Sequence, residues 1–302
     1  MKRFLSKLLL LLLLLAFVDM VAGVVFDYMY QNAKGGMVMR DNFICNKLHA
    51  DILLCGSSRC VHHYNPQIIT DSLGLSCYNS GQDGNGIILS YGRLLLAKRQ
   101  MSPKLVIYDL NPNYDLLAGD DNHKYLQWLK SHYDQDFIKD IFDSVDKTER
   151  YKMVSNMYRH NSRVIETLVD FLHPVLKPND NGFLPHAGDM DKSKIKEIII
   201  DKTNVYHFDS LKIAYLEEYI KAVNGNIVFS VSPIWYGMDS LQFKPIKDIC
   251  KRSGVKFIDF SNNPKYVHND LFFKDGNHMN ERGANEFTRD LIGELRKQGL
   301  FN

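Results

Sequence analysis

Five short apolar runs, each followed by a turn or a helical pattern, set the tightest limit on how this chain can fold. They lie at 51–55, 75–78, 105–110, 226–231 and 256–260. Runs of this length bounded by turn residues suit strands buried on both faces. Between and after them come patterns with helical spacing at 86–99, 209–223, 241–252 and 280–297. Strands alternating with helices predict an α/β fold, a three-layer α/β/α sandwich around a mainly parallel central sheet. Sites in such sheets form at the carboxyl ends of the strands, so the residues just after each run are the ones to inspect.

The stretch 116–206 breaks that rhythm. It carries helical patterns at 139–150 and 153–172, then a Pro/Gly/Asp-rich piece at 174–191. It reads as a largely helical insertion between the third and fourth strands, serving either as a lid or wall over a site or as a packing appendage. No internal repeat is visible.

The amino terminus bears on compartment. Lys2, Arg3 and Lys7 precede an unbroken apolar run at 8–18 that includes eight consecutive leucines; Asp19 interrupts, and 20–26 is apolar again. The first run alone suits a cleaved signal peptide, with Val21-Ala22-Gly23 as the cleavage site. Read through Asp19, residues 8–26 are long enough to span a bilayer. An acidic residue costs roughly 3 kcal/mol at mid-membrane, against about −4 kcal/mol for eight leucines. Asp19 sits toward the far end of the span, where its cost falls, and the reading favoured here is an uncleaved anchor with the positive flank inside. The expected organisation is therefore an anchor or signal segment at 1–27, a juxtamembrane connector at 28–50 and an exported, extracytoplasmic or periplasmic body at 51–302.

Charge excludes one class of partner. Without Lys2, Arg3 and Lys7, the 37 basic residues fall to 34, against 35 acidic ones. No basic stripe suited to a phosphate backbone is present, so nucleic acid is not an expected partner. The five cysteines at 45, 55, 60, 77 and 250 leave at least one unpaired, and none has zinc-like spacing. A Cys60–Cys77 bridge would suit an oxidising compartment.

Four segments after the strand runs carry chemistry. Gly56-Ser57-Ser58-Arg59 follows the first run, and a glycine there lets a serine project from a tight turn. Such turns also serve as plain helix caps. Near the carboxyl end, Asp275-Gly-Asn-His278 puts a carboxylate three residues before an imidazole. One short turn can bring it to Nδ1, leaving Nε2 to accept a proton from a serine. Asn280 follows as a helix cap, with Gly283 and Ala284 allowing close packing. Oxyanion donors could come from Asn79-Ser-Gly-Gln-Asp-Gly84 after the second run and from Asn111-Pro-Asn113 after the third. Singly, each of these segments is more often a turn.

Taken in order, the four blocks resemble the SGNH (GDSL-type) hydrolase superfamily. Gly56-Ser57-Ser58, Asn79-x-Gly81-x-x-Gly84, Asn111-x-Asn113 and Asp275-x-x-His278 carry the resemblance, over about 51–297 apart from the insertion. It implies Ser58 as nucleophile, His278 as base, Asp275 as its orienter, and Ser58, Gly84 and Asn113 around the oxyanion. The chain departs from the family pattern at Ser57, where aspartate is usual, and at Asn111-Pro-Asn113-Tyr114, where the family has Gly-x-Asn-Asp. The motif's register favours Ser58 over Ser57 and Asn113 over Asn111.

The implied activity is that of an exported, membrane-tethered serine enzyme acting on O-acyl, particularly O-acetyl, groups of a carbohydrate. Anchored members of the superfamily make polysaccharide O-acyl transfer, served by a membrane acyl-donor protein, a rival to hydrolysis. A catalytically silent glycan- or partner-binding domain is a third reading. Arg59 is a candidate for holding an anionic group, and Trp235 with Tyr236 for stacking on a sugar; plainer roles are a helix-start cation and wall aromatics. His62 and His63 lack a second ligand cluster, so no metal is expected, and no cofactor.

Overall fold

The computed structural model describes residues 1–119, 126–173, 181–191, 193 and 205–301. The chain forms two units: Met1–Cys45 with Asn122–Lys177, and Asn46–Asp121 with Pro178–Asn302.

The second unit is built on a parallel sheet of five strands: β1 Ile52–Gly56, β2 Cys77–Asn79, β3 Leu105–Asp109, β4 Ile227–Val231 and β5 Lys256–Asp259. Their order is β2-β1-β3-β4-β5, every neighbouring pair parallel. All five expected strands are present, and the α/β class holds. The first four strands are buried along their whole length, which is why they read as continuous apolar runs rather than alternating ones.

Alternate strand residues build two core layers. Ile52, Leu54, Ile107, Val228 and Ile258 pack with Phe287, Leu291 and Leu295 of the Glu281–Lys297 helix, and with Cys60, Tyr64 and Ile69 from Ser58–His63 and Pro66–Leu73. On the other face, Tyr108 meets Tyr219 of the Ser210–Ala222 helix, whose hydroxyl reaches Cys55 Sγ at 3.2 Å. That helix also packs against Ile87–Ala97 and Lys244–Ser253. Local signals fix the ends. Asn280 caps its helix by accepting from Gly283 N at 2.9 Å, as expected. Asn65 caps Pro66–Leu73, a helix absent from the sequence expectation, which also has proline in its first turn.

In the first unit the Lys2–Gln31 helix is followed by Gly36–Asn46, within what the sequence suggested as a connector. The expected helical pattern at 139–150 is present as Asp136–Val145 and Glu149–Lys152. The one at 153–172 is broken into Asn156–His160, a 3-10 turn at Asn161–Arg163, and Val164–Leu172. Of the Pro/Gly/Asp-rich piece, residues 174–180 lie outside the described ones. Among the described residues, Lys2–Gln31 alone is long and apolar enough to cross a membrane. All five cysteines are free and buried, Cys60 and Cys77 included.

Candidate active site

Because β1 leads to β2 on one side and β3 lies on the other, the segments after β1 and β3 flank the point where strand order reverses. Gly56 ends β1 at φ +142, and a Cβ there would lie 2.6 Å from the Asp109 carbonyl oxygen. Only glycine allows the backbone to turn this close to β3. Ser57 then stands at the helix N-cap, fully buried, and Ser58 is the first residue of Ser58–His63.

Ser58 Oγ lies 2.9 Å from His278 Nε2, across 220 residues of sequence. His278 Nδ1 lies 3.1 Å from both carboxylate oxygens of Asp275. The Nδ1 contact to an acceptor fixes the proton on that nitrogen and leaves Nε2 facing the serine hydroxyl. Asp275 Oδ1 also accepts from the backbone N–H groups of Asn277, at 2.8 Å, and His278, at 2.9 Å. Partial burial works against its charge, but the His278 imidazole and these two N–H groups outweigh that and hold the carboxyl at about 2.

The turn carrying this pair is braced from two sides. A Cβ on Gly276 would come within 2.3 Å of the Tyr236 ring. Glycine in Asp-Gly-Asn-His is therefore a consequence of that aromatic. His63, five residues after Ser58, accepts from Met279 N at 2.9 Å through Nε2, with Nδ1 3.0 Å from Ser232 Oγ. Complete burial above all, with the neighbouring imidazoles and Arg59 adding to it, pushes His63 far below its usual value, so it works as a neutral link between the serine helix and the histidine turn.

A cavity of about 190 Å³ opens on the Ser58–His278 pair, lined by Asn111, Asn113, Asn277, Tyr114, Ile234 and Met238, with Arg59 at its wall. Asn113 and Asn111 divide their tasks. Asn111 Oδ1 accepts from Asn113 N at 3.2 Å, and Asn111 Nδ2 donates to Ser57 Oγ at 3.3 Å, so Asn111 is spent on holding the turn. The Asn113 side-chain amide is exposed at the cavity and has no hydrogen bond among the described residues.

Of the other sequence candidates, Arg59 lines the cavity and the rest lie outside it. Gly84 has φ +66 in the loop after β2 and is not among the residues lining the cavity. Arg59 is 3% exposed; its Nε lies 3.6 Å from Asp109 Oδ2 and Nη2 donates to the Leu110 carbonyl at 2.5 Å. Its charge is thus met inside the fold. Trp235 donates from Nε1 to Asp270 at 2.9 Å and packs on the core beside Tyr236 and His268. Neither Trp235 nor Tyr236 lines the cavity, and both buttress the Asp275 turn.

Two residues escaped the sequence reading. Asn277, between the motif's carboxylate and its imidazole, lines the cavity. His186 stacks on His62 at 3.8 Å and lies edge-on to His278 at 5.4 Å. Burial first, then His62 and His278, push His186 down to about 4, so it adds no charge near neutral pH. Asn277 was legible within Asp275-x-x-His278; His186 carried no local signal.

One group of metal-capable side chains occurs among the described residues: Asp41, Cys45 and His132, ligand atoms within 4.8 Å of each other in the first unit. The Tyr30 hydroxyl occupies it, donating to Asp41 at 2.9 Å and lying 3.0 Å from His132 Nε2, and the Arg163 cation stands 3.7 Å from Asp41. The Asp41 charge is thus met by the Tyr30 hydroxyl and the Arg163 cation.

No protein-family model matches the chain, and no curated protein matches it. Among solved structures it is similar to an acetyl xylan esterase (Est2A) from the rumen bacterium Butyrivibrio proteoclasticus, with a TM-score of 0.36 and 10% identity. That match covers 82% of this chain and spans 63% of the other. A likeness of this degree says nothing about activity.

Proposed function

We propose that this chain is a serine acyl-ester enzyme of SGNH type. The observation that carries the reading is the relay of 2.9 Å from Ser58 Oγ to His278 Nε2 and 3.1 Å from His278 Nδ1 to Asp275, opening on a polar cavity. In this reading Ser58 Oγ attacks the acyl carbonyl as His278 Nε2 takes its proton, and Asp275 steadies the imidazolium. The Ser58 backbone N–H and the Asn113 amide meet the oxyanion, with Gly84 N–H as a third donor if its loop closes on substrate. The imidazolium then returns its proton to the leaving alkoxide. Water or a sugar hydroxyl, deprotonated by His278, releases the acyl group from Ser58.

The cavity, about 190 Å³, is smaller than the roughly 300–1,000 Å³ of sites for drug-sized ligands, which favours a short acyl group such as acetyl. The Asn113 and Asn277 amides around it suit a hydroxyl-rich alcohol, hence an O-acylated carbohydrate. The apolar Lys2–Gln31 helix supports a tethered, exported protein, with polysaccharide O-acyl transfer from a membrane acyl donor as the alternative outcome to hydrolysis.

Fluorophosphonate labelling of the full chain tests the relay. Labelling is expected in the parent and lost in Ser58→Ala and His278→Ala. A parent that neither labels nor cleaves p-nitrophenyl acetate would favour a silent binding domain. With an acetyl donor and an oligosaccharide, mass spectrometry separates free acetate, the product of an esterase, from acetylated sugar, the product of a transferase.

A further inference from the structure

In the first unit, polarity is inverted on the helices that pack against the apolar leader. On Val164–Leu172 the exposed side chains are Ile165, Leu168, Val169 and Leu172, while the buried positions are Thr167 and Asp170. The spacing i, i+3, i+4, i+7 makes the exposed set one continuous apolar face. Val154 and Met157 extend it; Val154 and Ile165 are each 78% exposed. A helix in water presents the opposite arrangement.

The leader explains the inversion. Met1–Val18 are exposed throughout, and contacts begin at Asp19. Its carboxylate accepts from Ser155 Oγ, from Asn156 N at 2.8 Å and from Met157 N at 3.0 Å, capping Asn156–His160. Gly23 packs on Asn156, Phe26 stacks on His160, Tyr28 meets Phe171, and Lys34 N donates to Asp170 O. The segment therefore climbs beside the leader from the level of Asp19 to that of Lys34. Residues 8–18 rise only about 16 Å at 1.5 Å each, against a hydrocarbon core of about 30 Å. Crossing needs roughly nine more residues, to about Asp27. Asp19 to Phe26, and what is packed on them, then lie within the bilayer.

We propose that residues 153–172 form a collar beside the anchor at the distal face of the bilayer, with Val154 and Met157 against lipid acyl chains and the Ile165, Val169 and Leu172 face at the headgroup boundary. This rests on the tether reading above. The collar also accounts for Asp19 in the span: its charge is met by a hydroxyl and two backbone N–H groups rather than left bare in hydrocarbon.

The test uses the full chain in phosphatidylcholine–phosphatidylglycerol vesicles, spin-labelled singly at Val154→Cys, Ile165→Cys, Leu172→Cys, Val24→Cys or Lys251→Cys. The native cysteines are buried, and unsubstituted protein gives the background. Relaxation by oxygen is expected to exceed that by a water-soluble nickel chelate several-fold at Val24 and Val154, less so at Ile165 and Leu172, and to be reversed at Lys251. Nickel dominance at 154, 165 and 172 with Val24 still in lipid would overturn the collar and leave the tether. Exclusion of both reagents there would mean a protein covering, and would also overturn it. Nickel dominance at Val24 as well would overturn the tether reading itself, and the collar with it.

Discussion

At the scale of single residues, the relay depends on contacts that differ in exposure. Asp275 is about half exposed on its side chain, so water can replace part of what it gives His278. Asp275→Asn is expected to lower kcat by roughly 10²–10³-fold, less than the ~10⁴-fold seen at a buried triad aspartate. Steady-state kinetics on an acetyl ester checks this. Its carboxyl is held at about 2, below the ordinary 3.8, so its stabilising contribution is complete above pH 3.8 and lost as pH falls through about 2. The thermal midpoint of Asp275→Asn should accordingly fall less between pH 4 and 2 than that of the parent. His63 is a positioning residue. His63→Ala leaves the buried Met279 N–H without its acceptor, at a cost of about 1–3 kcal/mol. Denaturant unfolding should register that loss, and kcat should fall while KM for the ester changes little, because substrate is not touched. The motif glycine is equally committed: Gly276→Ala would push Tyr236 or the turn aside and loosen the His278 contact.

At the scale of elements, the segment after β3 shows how a loop is held in readiness. Asp115 accepts from Asn111 N at 2.6 Å and from the Tyr108 hydroxyl at 2.8 Å, tying the Pro112–Asp115 helix to its strand and setting Asn113 at the cavity. Burial raises Asp115 to about 7, only partly offset by these two donors. The folded chain therefore keeps a proton that the unfolded chain loses near 3.8. Stability from this group is fully present below that value, declines as pH rises, and is gone above about 7. Thermal midpoints measured from pH 4 to 8 should decline less in Asp115→Asn than in the parent. None of this was visible in Asn111-Pro-Asn113-Tyr114-Asp115, because burial of Asp115 comes from the helices packed over β3. The helix after Gly56 was equally hidden: six residues give too little periodicity to distinguish it from a turn. By contrast, Asn280 acts on its own neighbour Gly283, and a cap of this kind can be read directly.

At the scale of the whole molecule, the leader's fate and the arrangement of the sheet decide most. The expected uncleaved anchor has a direct check. Intact mass of the membrane fraction should include residues 1–23, and the chain should resist alkaline carbonate extraction; a mature terminus near Gly23 would refute it. The sequence alone determined the α/β class, the five strands, the capped carboxyl-terminal helix and the Asp275-x-x-His278 turn. Each rests on short-range physics: burial of continuous apolar runs, side-chain capping, and a three-residue reach. Only the tertiary structure decided that Ser58 and His278 meet, since 220 residues separate them and the turn after β5 that carries His278 is tied to the Ser58 helix through His63 and Met279. It also redirected Arg59 to Asp109 and Trp235 and Tyr236 to the Asp275 turn, and brought His186 beside His278. Those outcomes depend on which groups compete for a charge or a ring once the chain is packed, and spacing along the sequence holds no record of that.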